Sequence, residues 1–467
     1  MIFRGFCFQG AVLKKPVLFF ELDFCKLSNG IGKIGNFVFN LCDFGWRTAT
    51  MEGRTMPAIV EFPKVVKDAV RDFGDLFSCK PQRQHFAEYL TGLMIAQNKT
   101  VTGINGEFAE TTDQSCLNRF ITSVDWDVEA LNERRIDLLQ KDPATRYSDQ
   151  GVIALDNVLI DHDGKFIKDA GWFWDHAEGR HKIAHDYLFV NYVCTSGKHY
   201  PLEFRRFKKR DQCEATGETF EDHTVLFCQL VDWVCERNIP GDFTFDSYFT
   251  HADILNHIHA KKDKFDRPRC YVGDLKFNRK IWHKGKELKA EEFAASIPLE
   301  SRKEFRRGDE RQWYFTCTVR IPKVNHKVRI VIIWDKRRDK SPRKILITNR
   351  VDWEVCRILR VYRHRWTGTE TYHRDGKQQL GMGDCQLRNG QGQTRHMYLV
   401  MLAYSLLMSQ LKQGHAKDWA LCRLTTIGEA SRAMLSETLR TTLAWAIEQA
   451  TVKSRNYDHI VASLGLT

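Results

Sequence analysis

The segment Tyr362-Arg-His-Arg-Trp-Thr-Gly-Thr-Glu-Thr-Tyr-His-Arg-Asp-Gly-Lys-Gln-Gln-Leu380 sets one carboxylate, Glu370, among cations, with Arg363 and Arg365 before it and Lys377 after it. If the chain is helical from about Thr369, Glu370 and Lys377 lie almost two turns apart and project from one face, roughly 10 Å from each other. Such a face offers an acid that can hold a metal ion and a base that can hold a phosphate. An acid beside Lys and Arg on a helix is most often a solvated charged face, so the segment gains weight only from other acids that join it.

Two Asp residues fit that part. Asp156 follows the apolar run in Val152-Ile-Ala-Leu-Asp-Asn, and Asp246 follows the one in Asp242-Phe-Thr-Phe-Asp-Ser. Each alone reads as a turn residue or helix cap, and Asp246-Ser-Tyr would open a helix at Ser247. Taken together, the order Asp, Asp, Glu is what a two-metal phosphoryl-transfer site needs, because hard divalent cations prefer oxygen ligands and two ions must be clamped together. With no Cys or His cluster competing, the ions expected are Mg2+ or Mn2+, with Asp156 bridging them and Asp246 and Glu370 each completing one coordination sphere.

With these residues in hand, the chain resembles the DDE transposases of bacterial insertion sequences. Tyr362, Arg365, Glu370 and Lys377 match the tyrosine, arginine, glutamate and lysine signature of that group, and Asp156 and Asp246 match its two aspartates. The resemblance spans roughly residues 60 to 410. One spacing departs from the pattern: four residues, Trp366 to Thr369, separate Arg365 from Glu370 where the group has three. The resemblance implies double-stranded DNA as partner, a homodimer in the DNA complex, and a ribonuclease H-like catalytic core. It also implies that Lys377 and one of Arg363 or Arg365, with Tyr362, hold phosphates of the element's ends, contacts that position DNA without reading its sequence.

A chain of 467 residues exceeds one ordinary core. The balance of 71 basic against 59 acidic residues gives +12, which favours a polyanionic partner weakly. The fourteen cysteines are scattered singly without a Cys-x2-Cys pair, so neither a zinc module nor a disulfide framework is signalled, and a reducing cytoplasm fits. The longest apolar run, from Met397 to Met408, is short of the roughly 20 residues that span a bilayer and reads as a buried helix. No Gly-x4-Gly-Lys loop points to ATP chemistry.

In chain order, residues 1–50 are Phe-rich and lack a sustained period. They read either as an apolar arm or, preferably, as translated upstream sequence with the natural start at Met51 or Met56. Residues 51–145 show helical periodicity and are expected to form an all-α domain with cationic points at Lys80, Arg83, Lys99 and Arg119; the resemblance implies that this domain binds the DNA of the element's ends, while any single Lys or Arg reads equally well as part of a solvated helical surface. From Gly151 to Arg206 three antiparallel strands are expected, then a crossover helix from His223 to Arg237 and a buried parallel strand ending at Asp246. That order is ribonuclease H-like and brings Asp156 and Asp246 together. The α/β core is assigned to 146–274 and 342–415, interrupted by a basic β-strand insertion over 275–341, with a helical C-terminal region at 416–467. Trp172 and Trp174, and the His and Asp residues around His162, His181 and His185, read better as hairpin and cap residues than as a base platform or a metal site. With one more residue before Glu370, the helix carrying it is predicted to start near Thr369, with Tyr362 to Trp366 in a separate turn.

The function expected is a cut-and-paste transposase that hydrolyses phosphodiesters at its element's ends and joins the freed 3′ hydroxyls to target DNA. The alternatives are a transposase-derived DNA-binding protein without chemistry and a stand-alone ribonuclease H-like nuclease.

Overall fold

The computed structural model describes residues 57–466, apart from 165, 176–177, 309 and 412–416. The sequence readings that fall on residues 1–50 lie outside the described residues. The helical periodicity of the first part is realised as α1 (Lys64–Phe73), α2 (Lys80–Ile95), α3 (Val101–Asn105), α4 (Gln114–Thr122) and α5 (Val128–Lys141). Asp113 and Asp127 cap α4 and α5 by accepting hydrogen bonds from first-turn backbone N–H groups.

The sheet begins with β1 (Val152–Asp161), β2 (Gly171–Asp175), β3 (Arg180–Val193) and β4 (His199–Phe207). The short helix α6 (Arg210–Thr216) and the crossover helix α7 (His223–Glu236) lead to β5 (Asp242–Phe245), then α8 (Ala252–Ala260) and β6 (Tyr271–Asp274). Antiparallel pairing of β4 with β3 and β3 with β1, followed by parallel pairing of β1 with β5 and β5 with β6, is the ribonuclease H-like order. The buried runs Val152–Leu155 and Asp242–Phe245 explain why these two strands sit at the centre of the sheet, covered on both faces.

The basic β-rich stretch comprises a separate hairpin, β7 (Lys280–His283) with β8 (Lys286–Lys289), the helix α9 (Ala290–Ser296), and β9 (Lys303–Arg307), β10 (Glu310–Val319) and β11 (Val328–Trp334). After it, β12 (Lys344–Thr348) pairs antiparallel with both β6 and β11. The strands β9 to β11 therefore continue the core sheet, and among the described residues that sheet has ten strands.

The helices α10 (Val355–Gly368), α11 (Glu370–Gln379), α12 (Gly390–Gln410), α13 (Ile427–Thr451) and α14 (Tyr457–Ser463) complete the chain. Strand alternation sends Ile153 and Leu155 into the apolar layer under α7 and α8, while Val152 packs with Val355, Ile358 and Val361 of α10 on the opposite face. The same parity puts Ala154 and Asp156 on the α10 side. There α12, the expected buried helix, packs among α2, α4 and α5, and Tyr89 on α2 hydrogen-bonds His396 on α12 at 2.9 Å. Among the described residues no helix is long and apolar enough to cross a membrane.

Two local expectations are corrected. Asp156 follows the apolar run but not the strand, which is expected to cover only Val152 to Leu155: β1 continues through Asp161, paired with β3, so Asp156 sits within it. The break before Glu370 does fall at Thr369, but Tyr362 to Trp366 form part of α10 instead of a separate turn. The apolar face of α10 accounts for this, since Val361 is buried in the same layer as Ile358 and carries the helix on through the signature residues.

Candidate active site

Asp156 reaches the site from the middle of β1, Asp246 from the residue after β5, and Glu370 from the first position of α11. Because β1 and β5 are parallel neighbours, their two aspartates share one region of the sheet. Glu370 reaches it because α10 lies directly on β1 and β3. Gly368 makes that approach possible: a Cβ there would stand 2.8 Å from the Ala154 Cβ and 2.9 Å from a Val193 methyl.

Asp156 is almost fully buried. Its Oδ1 accepts from the Asn157 backbone N–H at 3.1 Å, and its Oδ2 accepts from Arg365 Nη1 at 2.6 Å. The Thr369 hydroxyl, 2.9 Å from the Arg365 carbonyl, lies 3.4 Å from the same Oδ2. Burial, followed by the negative charge of Asp246, pushes the Asp156 carboxyl up to about 7; the Glu370 charge adds to the rise, and the Arg365 guanidinium opposes it. Asp246 spends Oδ1 on the Tyr248 backbone N–H at 2.8 Å, the capping role its sequence context suggested. Glu370 is half exposed and lies 3.8 Å from Arg365 Nη1.

The cationic residues divide. Arg365 points inward to the acids, whereas Arg363 is exposed on α10. Lys377 lines the same cleft as Glu370, on the face of α11 that also carries His373, and its Nζ donates to the Leu159 carbonyl at 2.7 Å. Tyr362 donates to Asp274 Oδ2 at 3.3 Å and accepts from Lys344 Nζ at 3.0 Å, while Lys344 also donates to that carboxylate at 3.2 Å. Burial raises the Asp274 carboxyl; Lys344 opposes this and Asp246 reinforces it.

Asp274 and Lys344 were not singled out from the sequence. The signal was present: Tyr271-Val-Gly-Asp ends a buried strand in an acid as Phe243-Thr-Phe-Asp does one strand earlier. The histidines near the site are structural in character. His185 Nε2 donates to the Lys168 carbonyl at 2.8 Å, which leaves its Nδ1 to accept from His162 Nε2 at 2.8 Å. Trp172 and Trp174 are exposed on β2.

The donor set is all oxygen and suits a hard divalent cation. Its net charge suits one too, because the charges of Asp246 and Glu370 raise the affinity of Asp156 for positive charge, part of which Arg365 supplies. Among the described residues no three His, Cys, Asp or Glu side chains stand close enough to form a ready metal cage.

The sheet order and the placement of the acids define a ribonuclease H-like protein. A family model described as DDE superfamily endonuclease matches residues 72–295, which include Asp156 and Asp246, and one described as Transposase DDE domain matches residues 223–406, which include Asp246 and Glu370. Together the matches run from 72 to 406, and the chain belongs to the DDE transposase superfamily. No curated protein matches it.

Proposed function

We propose that the chain is the transposase of an insertion sequence, which binds the element's ends, cleaves phosphodiester bonds there and joins the 3′ hydroxyls to target DNA, working as a homodimer on paired ends. The observation that carries this reading is the buried Asp156 on β1, whose carboxyl is pushed up by burial and by the charges of Asp246 and Glu370. Those three side chains would hold two divalent ions, Mg2+ or Mn2+, which when bound supply a deprotonated attacking oxygen and a stabilised leaving oxygen. Arg365 holds the Asp156 carboxylate in place beforehand and would have to release Oδ2 for that oxygen to hold an ion. Arg363 on α10 and Lys377 on α11 are both exposed towards solvent and supply phosphate contacts on the end DNA. Tyr362, held by Asp274 and Lys344, positions α10 beneath them.

The Arg365–Asp156 pair also favours a second reading, a DNA-binding protein that holds ends without chemistry, since a guanidinium already satisfies the central acid. The two are separated by Asp156→Ala, Asp246→Ala and Glu370→Ala, assayed for end binding and for strand cleavage. Binding retained with cleavage abolished in each supports the enzyme, whereas a wild-type chain that binds ends and never cuts them supports the alternative.

A further inference from the structure

A second cationic surface adjoins the acids on the side away from Lys377. Immediately after Asp246, Ser247 opens a cleft of about 460 Å3 that runs between the segments following β6 and β10. Its ten lining residues include Lys276, Arg279, Lys280 and Lys323 and no carboxylate. Lys280 is paired with Glu287 at 2.7 Å, whereas Lys276, Arg279 and Lys323 make no ion pair among the described residues. Such a concentration of unneutralised charge costs self-repulsion in the free protein and suits a polyanion.

Its position in the sheet gives it meaning. Lys377 anchors on Leu159 of β1, and the charges that act on it, Asp161, Lys182 and Asp175, belong to β1, β3 and β2. The cleft lies beyond β5 and β6, on the opposite flank in the order β2-β3-β1-β5-β6. Asp156 and Asp246 therefore stand between two cationic regions. A DNA strand whose scissile phosphate meets the acids has backbone on both sides of that phosphate, and one side is served by Lys377.

We propose that the cleft formed by Lys276, Arg279 and Lys323 seats the sugar-phosphate backbone on the far side of the scissile phosphate, outside the element. This rests on the reading of the chain as a transposase. The backbone seated there is the donor flank before cleavage or the target strand afterwards; both present the same phosphodiester chemistry. Asn278 and His251 at the cleft supply further polar groups without sequence preference. Lys276 is held over the exposed ring of Tyr248, which keeps its stem on the rim.

The test uses the full chain and the triple variant Lys276→Ala, Arg279→Ala, Lys323→Ala, whose exposed or half-buried side chains leave the core untouched. Two duplexes carrying the inverted repeat that flanks the coding sequence serve as probes, one ending at the scissile phosphate and one extended through flanking DNA. The variant should bind the first within about twofold of wild type, and lose at least about tenfold on the second, with a salt slope shallower by about 0.9 for each phosphate contact removed. Joining of pre-cut ends to a plasmid then separates the sources: loss of joining assigns the target strand, and loss confined to the extended duplex assigns the donor flank. Equal loss on both duplexes, or loss on neither with joining intact, overturns the proposal. A wild-type chain that binds neither duplex overturns instead the transposase reading on which it rests.

Discussion

Arg365 donates from Nη1 to Asp156 Oδ2 at 2.6 Å and lies 3.8 Å from Glu370, so one guanidinium supplies the positive charge between two of the three acids. Both partners of the short pair are largely withdrawn from solvent, with side chains 14% and 11% exposed. Removing one member of a buried pair costs about 3–5 kcal/mol when the other stays charged. Here the stranded carboxyl has an escape, since it already titrates at about 7 and can take up a proton. Arg365→Gln should therefore lose about 3 kcal/mol of stability at about pH 8 and distinctly less at about pH 6. Urea unfolding at the two pH values measures this, and an equal loss at both would show that the guanidinium does not neutralise Asp156.

The raised Asp156 carboxyl also makes a statement about cations. Its folded value lies above the ordinary 3.8, so its contribution to stability is fully present below that value and is lost as the pH rises towards about 7. Binding of a divalent ion by the ionised carboxylates would recover the loss. MgCl2 or MnCl2 should accordingly raise the melting temperature of the wild-type chain near pH 8, raise it little near pH 5, and leave Asp156→Asn unmoved. A shift of the same size in Asp156→Asn would place the responsible cation elsewhere.

Gly368 tests how the third acid is delivered. Any side chain there drives into Ala154 and Val193, which are carried by the paired strands β1 and β3 and cannot retreat. The helix must lift instead, and Arg365, Thr369 and Glu370 move with it. Gly368→Ala should cost about 1–3 kcal/mol, as overpacking does, and should depress cleavage more than end binding. Unchanged melting and cleavage together would mean that α10 does not need its close seat on the sheet.

What the sequence made legible follows from how local the cause is. The short buried runs before Asp156 and Asp246 and the crossover helix from His223 are local patterns, and they suffice to order β1, β3, β4, β5 and β6. The break before Glu370 was readable at Thr369 because the altered spacing had to be absorbed between Arg365 and Glu370. The continuation of β1 to Asp161 was not readable, since Asn157 and the residues after it are held by pairing with β3, some thirty positions away. The same holds for the insertion: β11 alternates like any strand, but only β12, by pairing with β6 on one edge and β11 on the other, determines that β9 to β11 extend the core sheet. Within the site, the inward turn of Arg365 and the exposure of Arg363 depend on which face of α10 meets the sheet.

That division between the two arginines yields a separation by salt dependence. Arg363 and Lys377 are exposed, whereas Arg365 is committed to Asp156. A cation that neutralises one phosphate displaces about one counterion, so its loss makes the slope of log affinity against log salt shallower by about 0.9 on duplex DNA. Lys377→Ala and Arg363→Ala should each weaken binding of the element's end and shift the slope by that amount, and the double variant should shift it by about twice as much, since the two cations stand on different helices and do not touch. Arg365→Gln should leave the slope of end binding in the absence of divalent ions close to wild type, because its charge is matched within the protein. A full counterion lost with Arg365→Gln and none with Arg363→Ala would reverse the assignment, making the arginine seen against Asp156 the one that turns outward when DNA is bound.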